Sequence, residues 1–197
     1  MRNFLSTIFL ISLAGCTSTS GYLLSFYADD NPSPDGFNIC HGYSCRYKVD
    51  VSLPQELWLQ VQQLFEEQPI DSALERQKII LAVALLEQQT GQLTGIKHDA
   101  PKSVKTKDTY GQQDCIDETI NTTTYLRMLH TENLLSWHQV SKPARRGYFV
   151  DGRWPHNSAT IKDLTNGQIY TVDSWPGANG EKPEIKRVDN WYREGQH

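Results

Sequence analysis

The sequence predicts an α+β fold in which helices pack on one face of an antiparallel sheet. Two observations carry this. Apolar residues recur at helical spacing in the first two-thirds of the chain, as in Leu57, Val61, Leu64 and Phe65, and beyond Ser136 give way to alternating, β-branched and aromatic runs. The last two runs, NSATIKDL and QIYTVDSW, flank Thr165-Asn166-Gly167-Gln168, and Asn-Gly between such segments is a strong hairpin signal. With 197 residues and 38% hydrophobic content, the chain can bury one good core. Its net charge of −4, from 19 basic and 23 acidic residues spread along the chain, provides no electrostatic footprint for nucleic acid.

Residues 1–15 have a basic start at Arg2, an apolar stretch from Phe4 to Leu13 and small residues after it, the pattern of a signal peptide too short to remain as a membrane span. Leu13-Ala14-Gly15-Cys16 resembles the bacterial lipobox, which implies that Cys16 is lipidated and begins the mature protein. The alternative is a cysteine lying within an ordinary signal sequence. Thr17 stands where an aspartate would resemble the inner-membrane retention signal, so the expected location is the outer membrane, facing the periplasm. Residues 16–38 read as a lipidated tether and lead-in loop with a turn signal in NPSPDG, and 39–197 as a single domain held at the membrane by acyl chains.

Within that domain, Leu53 to Gln68 forms an amphipathic helix with a proline in its first turn. A second helix starts at Asp71 or Ser72, where Ser72 and Glu75 have capping-box spacing, and ends at Thr90-Gly91. The polar stretch from Gly91 to Gly111 is an exposed loop. A third helix runs from Gln113 or Asp114 to about Leu129 or His130, and its three consecutive threonines, 122 to 124, require tertiary packing to hold it. WHQVSK, RRGYFV, NSATIKDL and QIYTVDSW supply the strands. The tail from Gly177 onward either caps the sheet or covers a cleft. The tryptophans 137, 154, 175 and 191 are expected to pack the sheet more than to stack on a substrate.

Four cysteines, less Cys16, leave three in an oxidising compartment, an odd number. Cys40 and Cys45 in CHGYSC are the economical disulfide, with a metal site through Cys40, His41 and Cys45 as the weaker alternative; either way Cys115 stays free. Cys115 falls at the start of the third helix, where unpaired N–H groups and the macrodipole favour a thiolate. His156 lies at the start of one hairpin strand and Asp173 near the end of the next. Folding about Asn166-Gly167 sets residue i opposite a residue near 333 − i, which brings Asp173 close to His156 once a bulge is allowed. These three residues make a candidate catalytic triad of nucleophile, base and orienting acid, with the Cys115 N–H and Gln112 or Gln113 as oxyanion donors. Asp117 and Glu118 are expected to point away from the sulfur. The remaining histidines, 41, 98, 130, 138 and 197, have no partners at useful spacing.

DCIDE at 114–118, WPHNSATI at 154–161 and NGQIYTVDSW at 166–175 together resemble the bacterial transglutaminase-like cysteine proteinases of the papain-like superfamily. The resemblance implies a nucleophile at a helix start, a histidine on one strand, an acid on the next and an aromatic soon after it, here Trp175. The sequence departs from the common H-A-V pattern, since Asn157-Ser158 stand between His156 and Ala159. The leading expectation is a cysteine protease or peptidase acting through an acyl-thioenzyme on an envelope or periplasmic protein. Acyl transfer to an amine, a peptidoglycan-directed enzyme, and a catalytically silent binding or assembly module are the alternatives. No metal or organic cofactor is implied, and Asp114, Asp117 and Glu118 give only a faint hint of the calcium found in some relatives.

Overall fold

A computed structural model describes residues 28–103, 110–147 and 155–194. The signal segment, Cys16, the end of RRGYFV, Trp154 and His197 lie outside the described residues. The architecture is α+β: a two-stranded hairpin, three helices, a four-stranded antiparallel sheet and a last short helix.

β1 (Phe37–His41) pairs with β2 (Tyr47–Val51), and the expected disulfide, Cys40–Cys45, closes the hairpin at its turn. Phe37 and Asn38, read from composition as a lead-in loop, are the start of β1. The neighbouring glycines and prolines conceal a strand whose Phe37 and Ile39 are buried in the core.

α1 (Gln55–Gln63) buries Trp58 and Val61 and stops short of the expected Gln68. α2 (Ser72–Thr94) is capped by Asp71, whose side chain accepts from the Leu74 N–H at 2.7 Å. Glu75 does not complete a capping box. It is buried and turned toward the chain leading into β3, where it accepts from the Ser136 and Trp137 N–H groups and pairs with His138 Nδ1 at 2.8 Å. His138, expected to lack a partner, is thus held between Glu75 and Arg76, whose Nη1 lies 3.1 Å from Nε2 and also reaches Asp163.

α2 also runs through Thr90-Gly91 and stops at Gly95, the residue with a left-handed backbone (φ 82°). Gly91 serves packing instead: a Cβ there would come within 2.3 Å of Asn179 Oδ1. Beyond α2, Ile96, Asp99 and Ser103 are buried, so this part of the expected exposed loop packs into the body.

α3 (Cys115–Thr131) is the central element and is buried along most of its length. Its threonines are accommodated by hydrogen bonding. Thr119 and Thr123 bond back to the carbonyls four residues earlier, Thr122 meets Ser174, and Thr124 accepts from the Asp29 N–H. One apolar core joins Phe37, Ile39, Trp58, Val61, Ile79, Val83, Leu86, Leu126, Leu129, Ile161 and Val172.

The sheet has the order β3 (His138–Arg146), β4 (His156–Asp163), β5 (Ile169–Asp173), β6 (Glu184–Arg187), and α4 (Val188–Arg193) follows. Ala159 pairs with Val172 and Lys162 with Ile169, so each residue of β4 faces a partner two positions earlier in β5 than folding about Asn166-Gly167 alone would give. The reason is the turn. Asp163 binds the Thr165 N–H and hydroxyl through Oδ1, and the ladder closes at Asp163 and Gln168, leaving Leu164 to Gly167 as the connection.

The Glu75 cluster joins α2 to the sheet, and removing the acid strands two N–H groups and an imidazole in a buried place. Glu75→Ala should therefore lower stability by about 3–5 kcal/mol in urea denaturation, whereas Glu66→Ala, at an exposed position, should change it by less than about 0.5 kcal/mol.

Candidate active site

The start of α3 is built by two carboxylates. Asp114 is the N-cap and accepts from the Ile116 and Asp117 N–H groups at 3.0 Å each, while Asp117 accepts in return from the Asp114 N–H, a reciprocal capping box. The N–H of Cys115 is not among those the cap satisfies. Both carboxylates also reach the disulfide turn. Tyr43 and Cys45 donate backbone N–H groups to Asp117 at 2.8 and 2.6 Å, and Ser44 donates to Asp114 at 3.0 Å. Gly42, Tyr43, Ser44 and Cys45 all have positive φ, so successive N–H groups converge on one side as an anion-binding nest.

Cys115 is a free thiol in the first turn of α3 and is buried. Burial is the main cause that pushes its thiol up to about 11, with the charges of Asp114 and Asp173 adding to it; backbone and side-chain N–H groups of Asn157 act in the opposite direction. The expectation of an acidified thiol at this helix start is therefore not met in this state, because burial outweighs the helix terminus. As expected, Asp117 and Glu118 turn elsewhere, Asp117 to the disulfide turn and Glu118 to a buried acid cluster with Glu87 and Asp99.

His156 and Asp173 come together: Nε2 lies 2.7 Å from Asp173 Oδ2, with both side chains buried. The offset register accounts for this, since it sets His156 opposite position 175 and makes Asp173 its diagonal neighbour. The Trp175 ring lies 4.7 Å and the Trp191 ring 5.4 Å from the imidazole. Trp191 also donates Nε1–H to the same Asp173 oxygen at 2.9 Å. Trp191 is itself 1% exposed and lies under Arg146, whose guanidinium is 4.3 Å from its ring. The tail beyond Gly177 thus brings in a member of the site that the sequence does not single out. Its only local signal is the aromatic pair Trp191-Tyr192.

Cys115 reaches β4 at the residue beside His156, with Asn157 Nδ2 3.7 Å from Sγ. No hydrogen bond joins Cys115 to His156, whose Nδ1 is buried without a partner. Strand alternation explains the arrangement: Asn157, Ala159 and Ile161 face α3, and His156 faces Asp173 and Trp191. The two glutamines proposed as oxyanion donors are held elsewhere. Gln112 Nε2 donates to the His98 carbonyl and its Oε1 accepts from Ser103, while Gln113 Nε2 donates to the Cys40 carbonyl. Among the described residues no group of His, Cys, Asp and Glu side chains could hold a metal ion. The Cys40–His41–Cys45 alternative is set aside by the disulfide. No protein-family model, curated protein or solved structure matches the chain.

Beside the site, burial raises the Glu87 carboxyl to about 8 and that of Asp99 to about 7; it raises Glu118 well above its ordinary value, with Glu87 and Asp99 adding repulsion. Between the ordinary carboxylate value near 4 and about 8, the folded state holds protons that the unfolded chain has released, so stability falls as pH rises through that window. Glu118→Gln should narrow the difference between melting temperatures at pH 5 and pH 8, chiefly by raising the value at pH 8. An unchanged difference would remove the cluster as its cause.

Proposed function

We propose that the protein is a cysteine hydrolase of amide bonds, built on a transglutaminase-like core, with Cys115 as nucleophile, His156 as base and Asp173 as the acid that orients it. The observation that carries this reading is the imidazole: one nitrogen is fixed by Asp173, whose charge acts on the free thiol of Cys115, and the other is buried and unpartnered.

Since the thiol is held up to about 11, it keeps its proton at rest, and the proton moves during attack rather than before it. The thiol gives its proton to His156 Nδ1 as sulfur bonds to the carbonyl carbon, and the new oxyanion meets the Cys115 N–H at the start of α3. Collapse breaks the carbon–nitrogen bond, and the imidazolium protonates the departing amine. Water then attacks the thioester, releasing the acid and restoring the thiol. Asp173 keeps Nε2 protonated and Nδ1 free to accept, and Trp191 holds the carboxylate in place.

In this reading the signal segment and a lipidated Cys16 would hold the domain at the periplasmic face of the outer membrane, and its substrates would be envelope or periplasmic proteins or peptides. Acyl transfer to an amine would use the same thioester. The second reading, a silent binding or assembly module, is favoured by one observation, the missing Cys115–His156 hydrogen bond beside a thiol of low acidity.

The two readings separate on acylation of the full chain by the p-nitrophenyl ester of acetyl-Ala-Ala, followed by intact mass and peptide mapping. The hydrolase should gain one acetyl-Ala-Ala group on Cys115 and none in Cys115→Ala. The rate should fall at least about 100-fold in His156→Ala and Asp173→Asn. Acylation of Cys115 indifferent to His156→Ala would leave the binding module as the better account.

A further inference from the structure

The cysteine chemistry proposed above leaves one polar group beside the sulfur without a task. Asn157 is 6% exposed, its Nδ2 faces Cys115 Sγ at 3.7 Å, and its Oδ1 is buried with no hydrogen-bond partner. A buried amide oxygen left unpaired costs about 1–3 kcal/mol. Nearby donors are already committed: Gln112 Nε2 to the His98 carbonyl, Gln113 Nε2 and Asn121 Nδ2 to the Cys40 carbonyl, Trp175 Nε1 to the Ser103 carbonyl and Trp191 Nε1 to Asp173. None of these described side-chain donors is left for it, and the acceptor fits a donor that arrives with the substrate.

The chemistry of that donor follows from the distances. Because the amide lies against the sulfur, any group that reaches Oδ1 while a carbonyl carbon sits at Sγ must lie within a few bonds of that carbonyl. On a peptide this is a backbone N–H on the acyl side of the bond attacked. An N–H is also the matching neutral donor for a neutral carboxamide, and Nδ2 is then free to turn from the sulfur toward the oxyanion, the position that Gln112 and Gln113 do not fill.

We propose, on the reading that Cys115 is the nucleophile, that Asn157 is a specificity-determining residue that accepts an N–H of the substrate's acyl-side peptide chain, so that the site selects peptidyl carbonyls over acyl groups lacking that N–H. A site built to bond a substrate N–H rejects an analogue lacking it far more strongly than an apolar pocket rejects a lost methylene.

The test is the second-order rate of Cys115 alkylation in the full chain by four reagents: acetyl-Ala-Ala chloromethyl ketone, its two analogues N-methylated at either amide in turn, and chloroacetamide, which has no peptide chain. In each, sulfur displaces chloride and the thiol proton leaves to His156 or water. The native chain should prefer the N–H ketone over one methylated analogue by at least about 100-fold. In Asn157→Ala that ratio should fall at least tenfold. In Asn157→Asp, which keeps an acceptor oxygen, the ratio should persist while all four reagents slow together, because the added charge opposes the thiolate. Alkylation that depends on His156 but shows an unchanged ratio in Asn157→Ala would overturn this inference alone. Alkylation by the ketone that is no faster than by chloroacetamide and indifferent to His156→Ala would overturn the nucleophile reading as well.

Discussion

Two carboxylates at the start of α3 organise the molecule. Asp114 and Asp117 cap the helix, and they also draw in the N–H groups of Tyr43, Ser44 and Cys45 from the disulfide turn. An N-cap is worth about 1 kcal/mol, but here the same oxygens join a helix terminus to a hairpin far away in sequence. The hairpin is fixed a second time by Asn121, whose side chain bonds both the N–H and the carbonyl of Cys40. With the helix start and β1 locked together, Cys115 has one place to be, and the sheet packed on α3 brings Asn157 to it.

Electrostatically the surroundings are unusual for a nucleophile. The charges of Asp114 and Asp173 oppose ionisation of the thiol, and the acids Glu87, Asp99 and Glu118 are buried close by. An ion pair at rest would be expensive in such a place. In the proposed hydrolase, a base that takes the proton only as the sulfur attacks would avoid that expense, and the hydrogen bonds from His156 and Trp191 to one Asp173 oxygen would keep it aligned meanwhile.

Features written in local sequence are the legible ones. The start of α3, the free Cys115, the Cys40–Cys45 pairing and the strands around Asn166-Gly167 follow from capping, cysteine count and alternation. Features decided by distant packing are not. Glu75 has capping-box spacing but answers to Ser136, Trp137 and His138, and Gly91 resembles a helix stop but makes room for Asn179. Trp191 is out of reach for the same reason, since nothing beside it in the chain hints that its indole will meet Asp173. Asn157 is a different case: it is visible as a departure from a family pattern, but only the fold turns its amide toward the sulfur.

The turn between β4 and β5 acts as a ruler for the site. Asp163 sets its length by holding Thr165 and Asn166, and that length decides which residue of β5 stands diagonal to His156. Two residues more or fewer would slide Thr171 or Trp175 into the place of Asp173, and an odd change would present the opposite face of the strand altogether. A solvent-facing loop with no reactive group in it is thus under chemical constraint. Length variation there should be far less tolerable than substitution, and Leu164, exposed at its first position, is free to vary where the residue count is not.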